Sequence, residues 1–334
     1  MRFLKWLAVI VLILIVIYFL GPRPSPPLYE SALPAIIASG SALDSLVASG
    51  ESLHQLKPDN EARIIWANDS LKQKTPYAFV YLHGFSASQE EGAPIHRELA
   101  KRYGCNLYLS RLAEHGIDTT EPLVSLTADK LWESAKQAYV IGRQLGNKVI
   151  LIGTSTGGTL ALKLAAQYPD IAALYLFSPN IAINDPNAWL LNNPWGLQIA
   201  HMVKGEYNQS SDTTALYRKY WNYRYRMEAA VQLEELLETS MKAGLFARVK
   251  QPVLLLYYYK DEEHQDPVVK VSAMQRMFRQ LGTPDSLRRE IALPNTGDHV
   301  IGSHIKSHDL DAVRNACYDF ADHVLKLNTK PPAN

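Results

Sequence analysis

Beyond residue 61 the chain alternates between two kinds of segment, and that alternation restricts the fold more than any other feature. Short runs rich in β-branched and aromatic residues stand at ARIIWA (62–67), YAFVYLH (77–83), NLYLSRL (106–112), KVILIG (148–153), IAALYLFS (171–178), PVLLLYYY (252–259) and LRREIAL (287–293). Between most of them, apolar residues recur at helical spacing, over 95–103, 128–145, 159–168, 268–281 and 310–325. In the last of these, Leu310, Val313, Cys317, Phe320 and Val324 form one stripe. The strand runs are apolar throughout instead of alternating, so both of their faces must be covered. The expected class is α/β, a mostly parallel central sheet with helices on both faces. With 334 residues, 47% of them hydrophobic, the chain can bury one large core or a core carrying an inserted subdomain.

The alternation breaks once. About seventy residues separate the run ending near Ser178 from the one starting at Pro252. They include NAWLLNNPWGLQIAHMVKG and the aromatic, basic YRKYWNYRYRMEAAVQLEELL. A structureless loop of that length is rare inside a compact domain, so 181–249 is expected to be an inserted helical lid.

The amino terminus is a separate unit. From Phe3 to Leu20 every residue is apolar except Lys5, and from Leu7 to Leu20 Tyr18 is the one polar interruption. Eighteen residues at about 1.5 Å each reach most of the way across a hydrocarbon core. A cleaved secretory signal is the alternative, but the exit YFLGPRPSPPLYE has no small-x-small site. Arg2 and Lys5 before the span, against Arg23 after it, leave the N-terminus cytoplasmic and the catalytic domain on the extracytoplasmic side of a single-pass membrane protein. GPRPSPP (21–27) reads as a stiff spacer holding the body off the bilayer. Over 28–56, Leu33, Ile36, Ile37, Leu43, Leu46 and Val47 sit at helical spacing broken by two Ser-Gly steps, which predicts one or two short amphipathic helices. The expected organisation is a transmembrane signal-anchor over 1–21, a spacer with short helices over 22–60, a core over 61–180, a lid over 181–249, the rest of the core over 250–327 and a tail over 328–334.

A formal charge of +1 gives no reason to expect a nucleic-acid partner. Cys105 and Cys317, far apart and in no metal-ligand spacing, exclude a disulfide framework and a zinc site. His304 and His308 lie four apart, yet no third ligand is apparent, so no metal or other cofactor is expected.

The chemistry is concentrated in ILIGTSTGGTLAL (150–162), where a buried strand runs into glycine, serine, two more glycines and then a helical pattern. A G-x-S-x-G turn between strand and helix is sharp, and it lifts the Ser155 hydroxyl above the sheet edge, with the amides of the next helix pointing toward it. The bare pattern recurs by chance, and a glycine-rich turn with an incidental serine is the bland reading. Three further segments raise it. YLHGFSAS ends an earlier strand, and Gly84 lets the backbone turn so that the Phe85 amide, together with that of Thr156, forms a two-donor oxyanion hole. His83 in the same segment reads as a buried structural histidine. LLLYYYKDEEHQDPVV offers Asp261 and Asp266. Asp266 is preferred as the acid, although before Pro267 it also reads as a plain helix N-cap. LPNTGDHVIGS supplies His299 ahead of the final helix. The chain order Ser155, Asp266, His299 suits this architecture.

On these residues the chain resembles an α/β-hydrolase from about residue 64 to 325. HGFSAS, LYLSRLAEHGID and GTSTGG are similar to the carboxylesterase and monoacylglycerol-lipase-like serine hydrolases, which often carry Gly-His-Gly where this chain has Glu114-His115-Gly116. Met, His or Gln more often follows the serine there; here Thr156 does. The resemblance implies an α/β-hydrolase fold and cleavage of a carboxylic ester through an acyl-enzyme on Ser155, with His299 as base and Asp266 orienting it. A small ester, lipid-derived esters near the bilayer among them, is the expected substrate. A peptidase or amidase on the same scaffold, or a silent hydrolase fold used for binding, are the alternatives. Trp189, Trp195, Tyr217, Tyr220, Trp221, Tyr223 and Tyr225 are enough aromatic surface to line a pocket, most of them packing the lid onto the body. Arg218, Lys219, Arg224 and Arg226 read as a solvated face.

Overall fold

The computed structural model describes residues 2–328; Met1 and nearly all of the expected tail lie outside the described residues. Helix α1 (Arg2–Phe19) buries none of its residues against the body, and by length and composition it is the one helix among the described residues able to cross a membrane. From there to α2 (Gly40–Glu51) the chain has no regular structure, so the apolar spacing over 28–56 yields a single helix.

Just past the proline-rich 21–27, the chain lies along the body. The Glu30 carbonyl accepts from Trp132 Nε1 at 2.8 Å and Lys136 Nζ at 2.9 Å, and the Ser31 carbonyl accepts from the Tyr168 hydroxyl at 2.9 Å. Extended backbone leaves its carbonyls unused by any helix, and donors on the body satisfy them.

The body opens with β1 (Arg63–Ile65), β2 (Thr75–Leu82), α3 (Ile95–Tyr103), β3 (Asn106–Leu109), α4 (Ala128–Leu145), β4 (Gly146–Thr154), α5 (Thr156–Gln167) and β5 (Ala173–Phe177). The insertion then carries α6 (Gly196–Lys204), β6 (Tyr207–Gln209), α7 (Ala215–Tyr220), β7 (Arg224–Arg226), α8 (Met227–Ser240) and α9 (Ala243–Phe246). The body resumes with β8 (Val253–Tyr257), α10 (Val271–Gln280), β9 (Arg288–Ala292) and α11 (Leu310–Asp319). All seven expected strands join one sheet in the order β1-β3-β2-β4-β5-β8-β9. Only β1 runs antiparallel to its neighbour. The insertion is not wholly helical, because β6 and β7 pair as an antiparallel ribbon.

Successive residues of each central strand feed opposite cores. Ala78, Val80 and Leu82 of β2 pack with Val149 and Leu151 of β4 under α4, α5 and α10, whereas Phe79, Tyr81, Ile150 and Ile152 pack with α3 and α11. That two-sided burial is why these strands read as unbroken apolar runs. In register, Leu82 pairs with Gly153 and Thr154 with Phe177, so the carboxyl ends of β2, β4 and β5 reach one edge together. Ligand-binding loops of an open parallel sheet gather at that edge.

Candidate active site

Ser155 sits between β4 and α5 at φ 51° and ψ −117°, a conformation that L residues rarely adopt. Four backbone bonds hold it there. Its amide donates to the Phe177 carbonyl at 2.9 Å, and its own carbonyl accepts from Gly158 at 2.9 Å, Asn180 at 3.0 Å and Thr159 at 3.1 Å. The flanking glycines are required by contact: a Cβ at Gly153 would lie 2.5 Å from Gly157 backbone, and one at Gly158 2.7 Å from Pro179 Cβ.

Asp266 is fully buried after β8, and its two oxygens are divided. Oδ1 accepts from the Val268 amide at 2.9 Å and the Val269 amide at 3.0 Å. Oδ2 lies 2.7 Å from His299 Nδ1. The N-cap reading of Asp266 needs correcting, since α10 starts at Val271 behind Lys270; Asp266 closes the turn ahead of the helix. Asp261 is exposed and turned into its own loop, bonded to His264 Nδ1 at 2.8 Å. Burial acts to raise the Asp266 carboxyl, but the His299 ring and the two amides outweigh it and hold it below the usual range. For His299, burial acts to lower the imidazole, and the Asp266 carboxylate overrides it and raises it.

Ser155 and His299 line the same cavity of about 600 Å³, together with Phe85. No hydrogen bond joins the Ser155 hydroxyl to the ring. Gly84 turns the chain off β2 so close to Ser155 that a Cβ on it would lie 3.1 Å from Ser155 Cβ. His83 is engaged entirely by backbone: Nε2 accepts from the Leu112 amide at 2.9 Å, and Nδ1 lies 2.8 Å from the Gly84 carbonyl. Burial pushes its pKa well below the usual value, so the ring is neutral.

Of the lid aromatics, Tyr217, Trp221 and Tyr225 reach the cavity. Tyr217 and Trp221 stack at 4.9 Å, and Tyr225 meets the Phe85 ring edge-on at 5.2 Å. Tyr220 bonds Asp59 at 2.6 Å, while Trp189 and Trp195 are exposed and do not line the cavity. Arg218 lies over Tyr223 and Arg224 over Tyr207; Lys219 pairs with Asp59, and Arg226 with Glu121, Glu206 and Glu228. These basic residues stay outside the cavity, whose lysines are Lys204 and Lys306. Its remaining wall is mainly apolar, supplied by Leu190, Leu191, Ile199, Val203, Met227 and Leu233.

One site residue escapes sequence reasoning. Glu91, 2% exposed, lines the cavity, and its Oε2 accepts from the Gly84 amide and, at 3.1 Å, from the Tyr81 hydroxyl. Burial pushes this carboxyl up to about 7, against the opposing pull of the Gly84 amide and of His299. Nothing local distinguishes Glu91 from its neighbour Glu90, and the short 3₁₀ turn Gln89–Gly92 sends the second carboxyl inward.

Cys105 and Cys317 are both buried free thiols, and burial pushes Cys105 up to about 12.

The sequence model of the alpha/beta hydrolase family matches residues 79–316. No curated protein matches the chain. Among solved structures, one reported with the metagenome-derived lipolytic enzymes LipS and LipT is similar at TM-score 0.65 and 17% identity, covering 80% of this chain and 98% of its own. The monoacylglycerol lipase of Paleococcus ferrophilus gives 0.56 at 14% identity, with 78% of this chain and 96% of that one covered. Est1E of Butyrivibrio proteoclasticus, with ferulic acid bound, gives 0.53 at 17%, over 80% and 95%. At these identities the likeness is one of fold.

Proposed function

This chain belongs to the alpha/beta hydrolase family, and on that premise we propose that it is a serine hydrolase of carboxylic esters acting through Ser155, His299 and Asp266. The observation that carries the reading is the 2.7 Å bond between His299 Nδ1 and the buried Asp266, on a ring that shares a cavity wall with a strained, glycine-flanked serine. A serine hydroxyl is a weak nucleophile until a base takes its proton. His299, its other nitrogen held by Asp266, removes that proton as Ser155 Oγ attacks the ester carbonyl carbon. Asp266 stabilises the imidazolium so formed. The carbonyl oxygen, now an anion, takes hydrogen bonds from the Phe85 and Thr156 amides, each donor lowering the barrier by about 3 kcal/mol. The imidazolium then protonates the departing alcohol, and water repeats the sequence on the acyl-enzyme.

The mainly apolar wall supports an ester with a hydrophobic acyl group over a peptide. Two observations support an ester drawn from near a bilayer. Trp195, at the start of α6, donates from Nε1 to the Ile17 carbonyl at 3.0 Å and from its amide to the Pro22 carbonyl at 2.9 Å, joining the lid to the end of α1. Trp189, Met202 and Val203 are exposed on the same part of the insertion. In this reading α1 is a signal-anchor, the N-terminus is cytoplasmic and the body lies outside the cytoplasm.

The test is labelling of the full chain with a fluorophosphonate, followed by a panel of p-nitrophenyl esters and aminoacyl anilides. Labelling that disappears in Ser155→Ala, with turnover of esters and not anilides, supports the proposal. Wild type that resists the probe and leaves the esters intact sinks it. Protease accessibility of the body in intact cells tests the sidedness.

A further inference from the structure

Glu91 is buried and lies in the cavity wall, yet no part of the acyl-transfer chemistry described above calls on it. Its surroundings are unusual for a carboxyl. Among the described residues no lysine or arginine pairs with it: Arg97 goes to Glu90, and the cavity's Lys306 goes to Asp212. Burying a carboxyl without a cation is costly unless hydrogen bonds and a nearby charge offset the loss of water. The groups facing it come from every packed element. They are the Tyr81 hydroxyl of β2, the Gly84 amide, His299 and Asp298 from the loop after β9, and Tyr217 from the lid. From α3, His96 abuts the Tyr81 ring at 4.7 Å and is held neutral by burial, its pKa lowered to about 3. Protonated His299 is therefore the cation available to it.

Contact with the reacting groups is close. A Cβ on Gly84 would lie 2.6 Å from Glu91 Oε1 and 3.1 Å from Ser155 Cβ, so the carboxyl, the turn and the nucleophile are packed against one another. Oε2 takes both hydrogen bonds, one of them from the Gly84 amide immediately before the Phe85 amide.

We propose that Glu91 is a positioning residue of this site: its carboxyl holds the Gly84 turn that aims the Phe85 amide, and its charge biases the proton on His299. The two effects act at different points. Holding the turn keeps an oxyanion donor in place, which affects turnover more than ground-state binding. The negative charge favours imidazolium over neutral imidazole, and so raises the pH needed to free His299 as a base. Glu91 and His299 then titrate as a coupled pair, and the acid limb of the rate profile belongs to both.

This inference rests on the Ser155–His299–Asp266 reading, and the experiment separates the two. In Glu91→Gln an oxygen acceptor for the Gly84 amide remains while the charge is gone. Its kcat/KM profile on a p-nitrophenyl ester is expected to shift its acid limb to lower pH by roughly half a unit and to narrow to a single ionisation. In Glu91→Ala the turn loses its acceptor, and kcat is expected to fall about tenfold or more with KM little changed. A Glu91→Gln profile that overlays the wild type overturns the inference, as does wild-type kcat in folded Glu91→Ala. If the alanine variant does not fold, the glutamine profile decides alone. Full turnover in Ser155→Ala instead overturns the reading of the site itself, and this inference with it.

Discussion

Gly157 passes so close to Leu82 that a Cβ built on it would lie 1.9 Å from the Leu82 carbonyl oxygen. The atom in the way is backbone of a central strand and cannot swing aside. This contact sets how near α5 approaches β2, and with it how near Ser155 lies to the turn carrying Phe85.

Gly157→Ala is therefore expected to cost roughly 3 kcal/mol or more, by displacing strand against helix. Denaturant unfolding of the full chain in detergent, followed by fluorescence, measures it. Gly50→Ala in α2 is the contrast, because a Cβ there meets nothing within 4 Å. It should leave stability unchanged or improve it by up to about 1 kcal/mol through helix propensity. Equal effects at the two positions would refute the packing argument.

Asp266→Asn is expected to lower kcat by roughly 10³- to 10⁴-fold, because the ring loses the group that fixes its tautomer and stabilises its cation. Asp261→Asn removes a surface carboxylate bonded to its own loop, and turnover should stay near wild type. Steady-state kinetics on one ester distinguishes the two, and the opposite ranking would move the acid to Asp261.

The pH profile has a definite sign. His299 must be neutral to act as a base, and its folded-state pKa is raised because the Asp266 carboxylate outweighs the lowering effect of burial. Activity should therefore fall as pH drops, with its midpoint above the ordinary histidine value of about 6.5. A kcat/KM titration with a midpoint well below that value would contradict the assignment.

Ala230 lines the cavity from α8. Ala230→Trp should fill apolar volume and lower kcat/KM for long acyl chains about tenfold relative to short ones. An ester series from acetate to laurate reads the ratio directly. An unchanged ratio would place the acyl chain elsewhere.

The leader provides a stability test away from the chemistry. Lys136 is 1% exposed and donates to the Glu30 carbonyl at 2.9 Å and the Ala32 carbonyl at 2.7 Å, with Glu133 at 2.8 Å. Lys136→Met should leave the Ala32 carbonyl unpaired and the Glu30 carbonyl with Trp132 Nε1 alone, cost about 1–3 kcal/mol and expose the segment before α2 to protease. Unchanged proteolysis would show that the leader is held by other contacts.

The sequence by itself determined the seven strands, the flanking helices and the strand-to-helix turn around Ser155. Those signals are local: apolar runs report two-sided burial, and Gly153, Gly157 and Gly158 report a turn too tight for side chains. It also placed His299 in a glycine-containing loop ahead of the last helix. The sequence favoured Asp266 over Asp261 as the acid, but the 2.7 Å contact with that ring comes from the tertiary structure, because the two share one loop and differ in how it folds back over the sheet edge. Tertiary structure alone turned Glu91 inward while Glu90 stayed with Arg97, and it laid the chain at Glu30 and Ala32 on α4. Asp266 and the leader meet partners far away in sequence, while Glu91 meets Gly84 and Tyr81, near in sequence but brought to it by a turn between strand and helix. The energy of a buried carboxylate or an extended backbone is set by those partners, and no local pattern encodes it.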